Sequence, residues 1–355
     1  MVFDYNKYKS EFDKFTKFSQ SILITSHINP DGDAISSVLS TYYYLINILK
    51  IPQTNVRMVI TGCYVPLWKS LSNYEKIEFV EDIALEIADN ILLVILDNKE
   101  YDRISNTPKK IKSKNIKTIC IDHHTHPNTQ EFDLYIGPNS TSINYTSTAE
   151  LLYYILFEPY LKSLDSVICK ILLTGIYTDT GSFRFIDKNN SKVFDVAKNL
   201  INQGDIVVES IVSIFDKTPL GSFQVWGLFL QNISVHKIGK WPEFSLSFFN
   251  KSDLQKFSKQ DYDEGSGLFK PYITKVTTCS WGIVIKPVYS TSNWSISFRA
   301  VNSNKFIKVN EIAGYFGGGG HTAAAGAQFD SSLSLEDCKN KIFEYLKSHE
   351  PIYVS

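Results

Sequence analysis

Two stretches of this 355-residue chain restrict its fold more than any others. Ile91-Leu92-Leu93-Val94-Ile95-Leu96 is purely apolar and runs straight into Asp97, and the run Ile116–Ile121 leads in the same way into Asp122-His123-His124. A strand with one wet face alternates apolar and polar residues. Runs without that alternation belong to a sheet covered on both faces, which is the habit of parallel sheets. Ile22-Leu23-Ile24, Val56–Ile60 and a shorter Lys76–Val80 extend the set. The segments between include an amphipathic helix over Phe3–Gln20 and an apolar-periodic helix from Ala34 to Leu49. The expected fold class is α/β: a mainly parallel sheet with helices on both faces.

In sheets of this kind ligands bind beyond the carboxyl ends of the strands. Three strands here end in metal-competent side chains: His27, Asp31 and Asp33, then Asp97, then Asp122, His123 and His124. A fourth group, Gly175-Ile176-Tyr177-Thr178-Asp179-Thr180-Gly181, follows a helical segment expected over Leu164–Leu173. Crowded carboxylates repel one another, and burying them costs roughly several kcal/mol unless a cation compensates. An acid at one strand end is commonplace; acids at all of them are not.

The donors His27, Asp31, Asp33, Asp97, His123 and Asp179 offer nitrogen and oxygen but no sulfur, which suits Mn²⁺ or Mg²⁺ better than thiolate zinc or iron–sulfur. Six ligands exceed what one catalytic ion with open positions needs. They suit two ions about 3.5–4 Å apart that share a carboxylate, an arrangement that activates water and clamps phosphoryl oxygens. The chemistry is hydrolysis of a phosphate ester or anhydride.

Five scattered cysteines without a C-x-x-C pair argue against a disulfide framework. No run approaches the length needed to span a bilayer, and Met1–Gln20 is charged and aromatic with no apolar signal core. The expected location is the cytoplasm, where the glycosylation-type triplet Asn144-Tyr145-Thr146 carries no meaning. With 36 Lys+Arg against 37 Asp+Glu there is no basic excess of the kind that tracks long DNA, so a short anionic substrate is favoured.

Beyond a polar stretch at 185–190 and a helix over Ser191–Gln203, the texture changes. Strands are expected at Glu243–Phe249, Gly282–Tyr289, Trp294–Val301 and Ala327–Phe329, with a final helix over Ser334–Ser348. The expected division is a first domain over 1–204, a linker over 205–224 and a smaller α+β domain over 225–355. Within the latter, Gly317-Gly318-Gly319-Gly320-His321 implies a backbone demand, since each glycine costs very roughly 0.5–1 kcal/mol relative to alanine. The run reads either as a flexible hairpin loop or as a nest of N–H groups near a phosphate, with His321 as a further donor. Arg299, ending a strand in the same domain, suits bidentate phosphate pairing.

His27-x-x-Pro30-Asp31-x-Asp33-Ala34, Asp97, Asp122-His123-His124 and Thr178-Asp179-Thr180-Gly181 resemble, in order, the four motifs of the DHH phosphoesterase superfamily. Ser297-Phe298-Arg299 and the glycine run resemble the DHHA1 domain of one branch, and the length and domain order are similar to its nanoRNase and pAp-phosphatase group. The resemblance implies one ion on His27, Asp31 and Asp97, and a second on Asp33, Asp97, His123 and Asp179, with Asp97 as the bridge. It implies two divalent cations, Mn²⁺ before Mg²⁺. Asp122 would orient a histidine, and His124 would stabilise phosphoryl charge or protonate the leaving oxygen. Arg299, Gly318, Gly319, Gly320 and His321 would hold the nucleotide. The implied substrates are short RNA, linear dinucleotides and pAp. A pyrophosphatase or polyphosphatase with the same core, and a non-catalytic nucleotide-binding regulator, are the alternatives. Arg103, Arg184, Ser147–Glu150, Phe183, Tyr315 and Phe316 are weaker candidates. Ser36-Ser37 and Asn98–Tyr101 depart from the family pattern, which bears on substrate preference.

Overall fold

The computed structural model describes residues 3–124, 131–138, 145–215, 218–301 and 306–354; Asn144 lies outside them. The chain divides into two compact units, Met1–Asp216 and Lys217–Ser355.

The first unit is built on six parallel strands: β1 (Ile22–Thr25), β2 (Val56–Thr61), β3 (Ile77–Val80), β4 (Leu92–Leu96), β5 (Lys117–Ile121) and β6 (Leu134–Ile136). Their order is β3-β2-β1-β4-β5-β6, so the chain winds one way from β1 and the other way from β4. The crevice between β1 and β4 is therefore the point where connections diverge, the position at which such sheets open a ligand site. β6 has no counterpart among the expected strands, because Leu134-Tyr135-Ile136 is too short to register as a run.

The helices are α1 (Tyr5–Lys17), α2 (Gly32–Tyr43), α3 (Pro108–Lys112), α4 (Thr148–Leu152), α5 (Ser166–Asp179), α6 (Val193–Gly204) and α7 (Glu209–Phe215). Successive strand residues feed opposite cores. Leu92, Val94 and Leu96 pack with Ile35, Val38 and Leu39 of α2 and with α5 and α6, whereas Leu93 and Ile95 pack with Ile83, Ile104 and Ile111. That two-sided burial is why β4 shows no alternation. The second face is covered thinly, by α3 and short 3-10 turns.

Several boundaries differ from expectation. The α-helical part of the second helix ends at Tyr43 and continues as a π-turn over Tyr44–Ile48. α5 runs on to Asp179, so that residue ends a helix rather than sitting in a loop after Leu173. The segment 205–224, expected as a helical connector and linker, supplies α7, whose Ile211 and Ile214 are buried in the first core, and then the start of the second unit.

The second unit carries α8 (Leu220–Gln231), β7 (Ser234–His236), β8 (Phe244–Phe248), α9 (Lys251–Leu254), α10 (Lys259–Phe269), β9 (Trp281–Pro287), β10 (Trp294–Ala300), α11 (Val309–Tyr315), β11 (Gly319–His321), β12 (Ala324–Phe329) and α12 (Leu335–Ser348). Its sheet order is β11-β12-β10-β9-β8-β7, antiparallel except for the β8–β9 pair. One face buries Ile283, Ile285, Ile296 and Phe298 with Ile312 of α11 and Ile342 of α12; the other sets Val284 against Val225, Phe229, Tyr262 and Phe269 of α8 and α10. Among the described residues no helix is long and apolar enough to cross a membrane.

Candidate metal centre

Every side chain of the cluster in the first unit stands at the carboxyl edge of the parallel sheet. His27 lies two residues past β1, Asp97 directly after β4, and Asp122-His123-His124 directly after β5. Asp31 caps α2, its carboxylate accepting from the Ala34 N–H at 3.1 Å, and Asp33 sits in the first turn of that helix. The end of α5 brings Asp179 in from outside the sheet.

That last placement depends on missing side chains. A Cβ on Gly175 would lie 2.7 Å from the Ala149 Cβ and 2.9 Å from Asp33 Oδ1. Only glycine allows α5 so close to α2 and α4, and the close approach is what carries Asp179 to its partners.

Asp97 stands at the centre. Its Oδ2 is 3.7 Å from His27 Nε2, and its Oδ1 is 3.7 Å from His123 Nε2, so the two oxygens face different imidazoles. His123 Nε2 also lies 3.2 Å from Asp179 Oδ2. The Asp97 backbone has φ +53°, a left-handed conformation that is rare for a residue with a side chain and concentrated at functional sites. Asn98 behind it is buried and donates to the Glu100 carbonyl at 2.7 Å, which fixes the turn. The atypical Asn98 is thus part of the support beneath the cluster.

α4, whose opening Ser147–Glu150 was a weaker candidate, supports the cluster directly. The Thr148 and Ala149 N–H groups donate to the two Asp33 oxygens at 2.7 and 2.9 Å. The Thr148 hydroxyl donates to Asp97 Oδ1 at 3.0 Å and accepts from the His123 N–H at 3.3 Å. One residue therefore ties three of the cluster's members together. Ser147 does cap the helix, as expected, accepting from the Glu150 N–H at 3.0 Å.

The electrostatics follow from burial and crowding. Burial first, then the charges of Asp97 and Asp179, hold the Asp33 carboxyl well above the usual carboxylate range. Burial also pushes Asp179 up to about 6, with His123 opposing and Asp97 and Asp31 adding to the rise. Burial works to lower His27, but the neighbouring Asp97 and Asp31 carboxylates and the Ile28 carbonyl outweigh it and raise the imidazole. Asp122 is engaged elsewhere: its Oδ1 accepts from both the His124 N–H at 3.1 Å and His124 Nδ1 at 2.7 Å. That contact raises His124, and it holds Asp122 below its ordinary value although burial acts the other way.

Metal fit can be judged from the donors themselves. Nδ1 of His123 faces the Tyr145 carbonyl at 3.2 Å, leaving Nε2 as the lone-pair nitrogen, and that atom is buried with no hydrogen-bond partner. A buried, unpartnered imidazole nitrogen beside two carboxylates is the signature of a ligand in want of a cation. Two groups each bring three ligand atoms within 4.8 Å of one another: His27, Asp31 and Asp97, and Asp33, His123 and Asp179. The donors are hard, so the residues present fit a divalent cation of the Mn²⁺ or Mg²⁺ type.

In the second unit the glycine run is part turn and part strand, Gly317 and Gly318 lying in the turn that follows α11. Gly319–His321 form edge strand β11, paired antiparallel to β12. A Cβ on Gly320 would stand 2.6 Å from the Ala324 carbonyl oxygen, and its φ is +139°, so backbone packing alone demands glycine there. Gly319 faces open space. The Gly317 and Gly318 N–H groups donate to the Gly314 and Ala313 carbonyls at 3.0 and 2.8 Å, and Gly319–His321 form the edge of the sheet. Through the register His321 opposes Ala324, and Ala324 opposes Arg299, which places His321 and Arg299 at one level on one sheet face. Gly318 and Gly319 are exposed in the same region.

Among the weaker candidates, Arg103 and Arg184 are exposed, and Arg184 Nε bonds the Gly181 carbonyl at 2.7 Å. Phe183 packs on Tyr177 and Phe194, and Phe316 on Phe329 and Tyr345; Tyr315 is exposed beside Tyr345. Ser36 and Ser37 are buried with unpartnered hydroxyls. His126 lies outside the described residues.

Comparison with known proteins matches this architecture. The DHH family N-terminal domain model matches residues 21–176, and the DHHA1 domain model residues 282–348. A Streptococcus mutans protein named probable bifunctional oligoribonuclease and PAP phosphatase is 25% identical, over 93% of this chain and 96% of its own. A Thermus thermophilus protein named bifunctional oligoribonuclease and PAP phosphatase is also 25% identical, over 92% and 89%. The crystal structure of an exopolyphosphatase-related protein from Bacteroides fragilis superposes with a TM-score of 0.74 at 23% identity, covering 96% of this chain and 97% of that one, which shows a shared fold. With the DHH motifs gathered at the switch point of one sheet and the DHHA1 match falling on the other, the chain carries a DHH family N-terminal domain followed by a DHHA1 domain.

Proposed function

We propose that the protein is a dinuclear metal-dependent hydrolase of short RNA, linear dinucleotides and pAp. The observation that carries the reading is Asp97, whose two oxygens face His27 on one side and His123 on the other. His27, Asp31 and Asp97 would hold one cation and Asp33, Asp97, His123 and Asp179 the other, Mn²⁺ before Mg²⁺. Bound there, the pair supplies Lewis acidity toward a phosphoryl oxygen and lowers the pKa of water.

The chain's own residues do the rest. α4 fixes Asp33 through two backbone donors and Asp97 through the Thr148 hydroxyl, so the carboxylates cannot swing apart. Asp122 holds His124 by its ring Nδ1, and the raised pKa keeps a proton available on that half-exposed imidazole for the leaving oxygen. Arg299, Gly318, Gly319, Gly320 and His321 would hold the nucleotide. That residue set, and the names of the relatives at about 25% identity, favour nucleotides over pyrophosphate.

The test is product formation from a 5′-labelled RNA ladder and from pAp with Mn²⁺, in wild type and Asp97→Ala. Mononucleotide release concentrated on the shortest oligomers, together with AMP from pAp, both lost in the variant, is the expected result. Turnover of pyrophosphate alone would replace this reading with the pyrophosphatase one. Nucleotide binding without product would replace it with the regulator.

A further inference from the structure

The imidazole of His123 is held from behind by one peptide unit, and that unit is held in turn by a buried carboxylate. The Tyr145 carbonyl lies 3.2 Å from His123 Nδ1. A carbonyl can only accept, so this bond requires the proton on Nδ1. On the far side of the same planar amide, the Thr146 N–H donates to Glu150 Oε2 at 2.6 Å, and the Thr146 hydroxyl donates to that oxygen at 2.8 Å. The amide is trans, so its C=O and N–H point in opposite directions. Whatever fixes the N–H therefore aims the carbonyl.

Helix capping does not account for Glu150. Ser147 and Glu150 have the spacing of a capping box, and the Ser147 hydroxyl does accept from the Glu150 N–H at 3.0 Å. In such a box the acidic side chain returns to the N–H of the capping residue itself. Here it goes one residue further back, to Thr146, while the Thr148 and Ala149 N–H groups that open the helix are taken by Asp33. Glu150 is only 3% exposed, a costly place for a carboxylate that ties down a single neighbouring residue. Burial raises its carboxyl, and the Thr146 bonds and His123 act against that rise.

The other end of the peptide is anchored as well. The Tyr145 ring is buried, with its hydroxyl 2.8 Å from that of Tyr5 on α1 and its ring edge-on to Phe3. The cluster's other histidines are held by shorter routes. His27 Nδ1 faces the carbonyl of its own neighbour Ile28 at 3.0 Å, and His124 Nδ1 meets the Asp122 carboxylate directly.

We propose that Glu150 is a positioning residue: through the Tyr145–Thr146 peptide it fixes the proton of His123 on Nδ1 and so presents Nε2 to a divalent cation. This rests on the metal-centre reading above. A carboxylate on the N–H pushes amide electron density toward the carbonyl oxygen, which makes that oxygen the better acceptor for the imidazole.

The test reads the imidazole directly. Long-range proton–nitrogen spectra of the metal-free, full-length protein, carrying nitrogen-15 histidine at about pH 8.5 where an ordinary imidazole is neutral, distinguish the protonated ring nitrogen from the bare one. His123→Asn identifies the signal. Wild type should show His123 as the Nδ1–H tautomer. Glu150→Gln, which can still accept from the Thr146 N–H, should keep it, and Glu150→Ala should move the proton toward Nε2. Mn²⁺ titrations followed by electron paramagnetic resonance should show affinity lowered about 10- to 100-fold in Glu150→Ala and no more than about threefold in Glu150→Gln. Ser147→Ala removes the cap of the same helix, so it should lower the melting temperature and leave the tautomer unchanged.

If Glu150→Ala fails to fold, Glu150→Asp carries the same expectation, since it keeps the charge and withdraws it by one methylene. An Nε2–H tautomer in wild type overturns the proposal. So does a tautomer retained when the Glu150 carboxylate is removed or withdrawn, one lost equally in Ser147→Ala, or an Mn²⁺ affinity indifferent to a moved proton. Each of these leaves the metal centre standing if wild type binds Mn²⁺. Wild type that binds no Mn²⁺ overturns the metal-centre reading, and a Glu150-dependent tautomer in that protein still supports the relay.

Discussion

The two units each concentrate charge of one sign and stabilise it by different means. In the first, buried carboxylates converge on Asp97, and the protein offsets their repulsion from within, through two N–H groups of α4 on Asp33, a threonine hydroxyl on Asp97 and two imidazoles. In the second, Lys270, Lys286 and Arg299 have a serine hydroxyl, an aromatic face, two backbone carbonyls and the charge of Asp263, which acts on both lysines. The first cluster is buried at its centre, with Asp33 1% and Asp97 4% exposed, and reaches solvent at Asp31 and His124. The second lies open beside a groove. Carboxylates buried at the cluster's centre suit small cations, and half-buried basic side chains beside a groove suit an anion.

Breaking the first cluster should have the largest effect. Asp97→Asn removes the shared carboxylate, and hydrolysis should fall on the order of a thousandfold or more. The same substitution relieves like-charge repulsion, so the metal-free protein should melt higher than wild type. A variant both less active and less stable without metal would contradict the electrostatic account. In the second unit, Arg299→Ala should cost about ten- to a hundredfold on nucleotides and far less on a small generic phosphodiester. Equal losses on both would remove the second unit from substrate binding.

Metal linkage sharpens the contrast. Mn²⁺ at a hundred times its Kd should stabilise the fold that binds it by about 2.7 kcal/mol. Four of the five tryptophans (226, 241, 281 and 294) lie in the second unit. The calorimetric transition of the first unit should therefore rise with Mn²⁺ while the tryptophan transition moves little. Equal shifts in both signals would mean that the metal acts on the whole chain.

pH gives a third test. The Asp179 carboxyl is raised to about 6, and Asp33 is raised with it, so the folded, metal-free protein holds protons that the unfolded chain has released. Stability without metal should accordingly fall as pH rises from about 4 through about 6, and go on falling as the raised Asp33, His27 and His124 lose their protons. Denaturant melts across that range check it, and a rise over the same window would contradict it.

The smallest contrast uses one substitution in two places. Gly175→Ala forces a methyl group against Ala149 and Asp33 and should cost about 1–3 kcal/mol, with weaker Mn²⁺ binding. Gly319→Ala meets open space and should change stability by no more than about 0.5 kcal/mol. Thermal melts of the two variants suffice.

The two clusters also differ in how legible they were. Strand-end acids announce themselves because an apolar run stops at a charged residue, and His27, Asp97 and Asp122-His123-His124 were found that way. Thr148 was only a weaker candidate within Ser147–Glu150, since a Ser-Thr-Ala-Glu opening looks like any helix cap and its bonds to Asp33, Asp97 and His123 exist only once α4 is placed. Asp179 was found, but as following a helix expected to end at Leu173, whereas α5 runs on to Asp179 and its close packing requires Gly175. Lys270 and Lys286 left no local trace. They are 16 residues apart and meet only through the register of β9 and the end of α10.

The most direct test of the central claim is the number of Mn²⁺ ions bound per chain, by equilibrium dialysis of metal-free wild type and Asp97→Asn. Two ions on wild type, with tight binding lost or halved in the variant, is the result that two sites sharing Asp97 require. One ion on wild type, or two unaffected by the substitution, would contradict a shared carboxylate and with it the dinuclear mechanism.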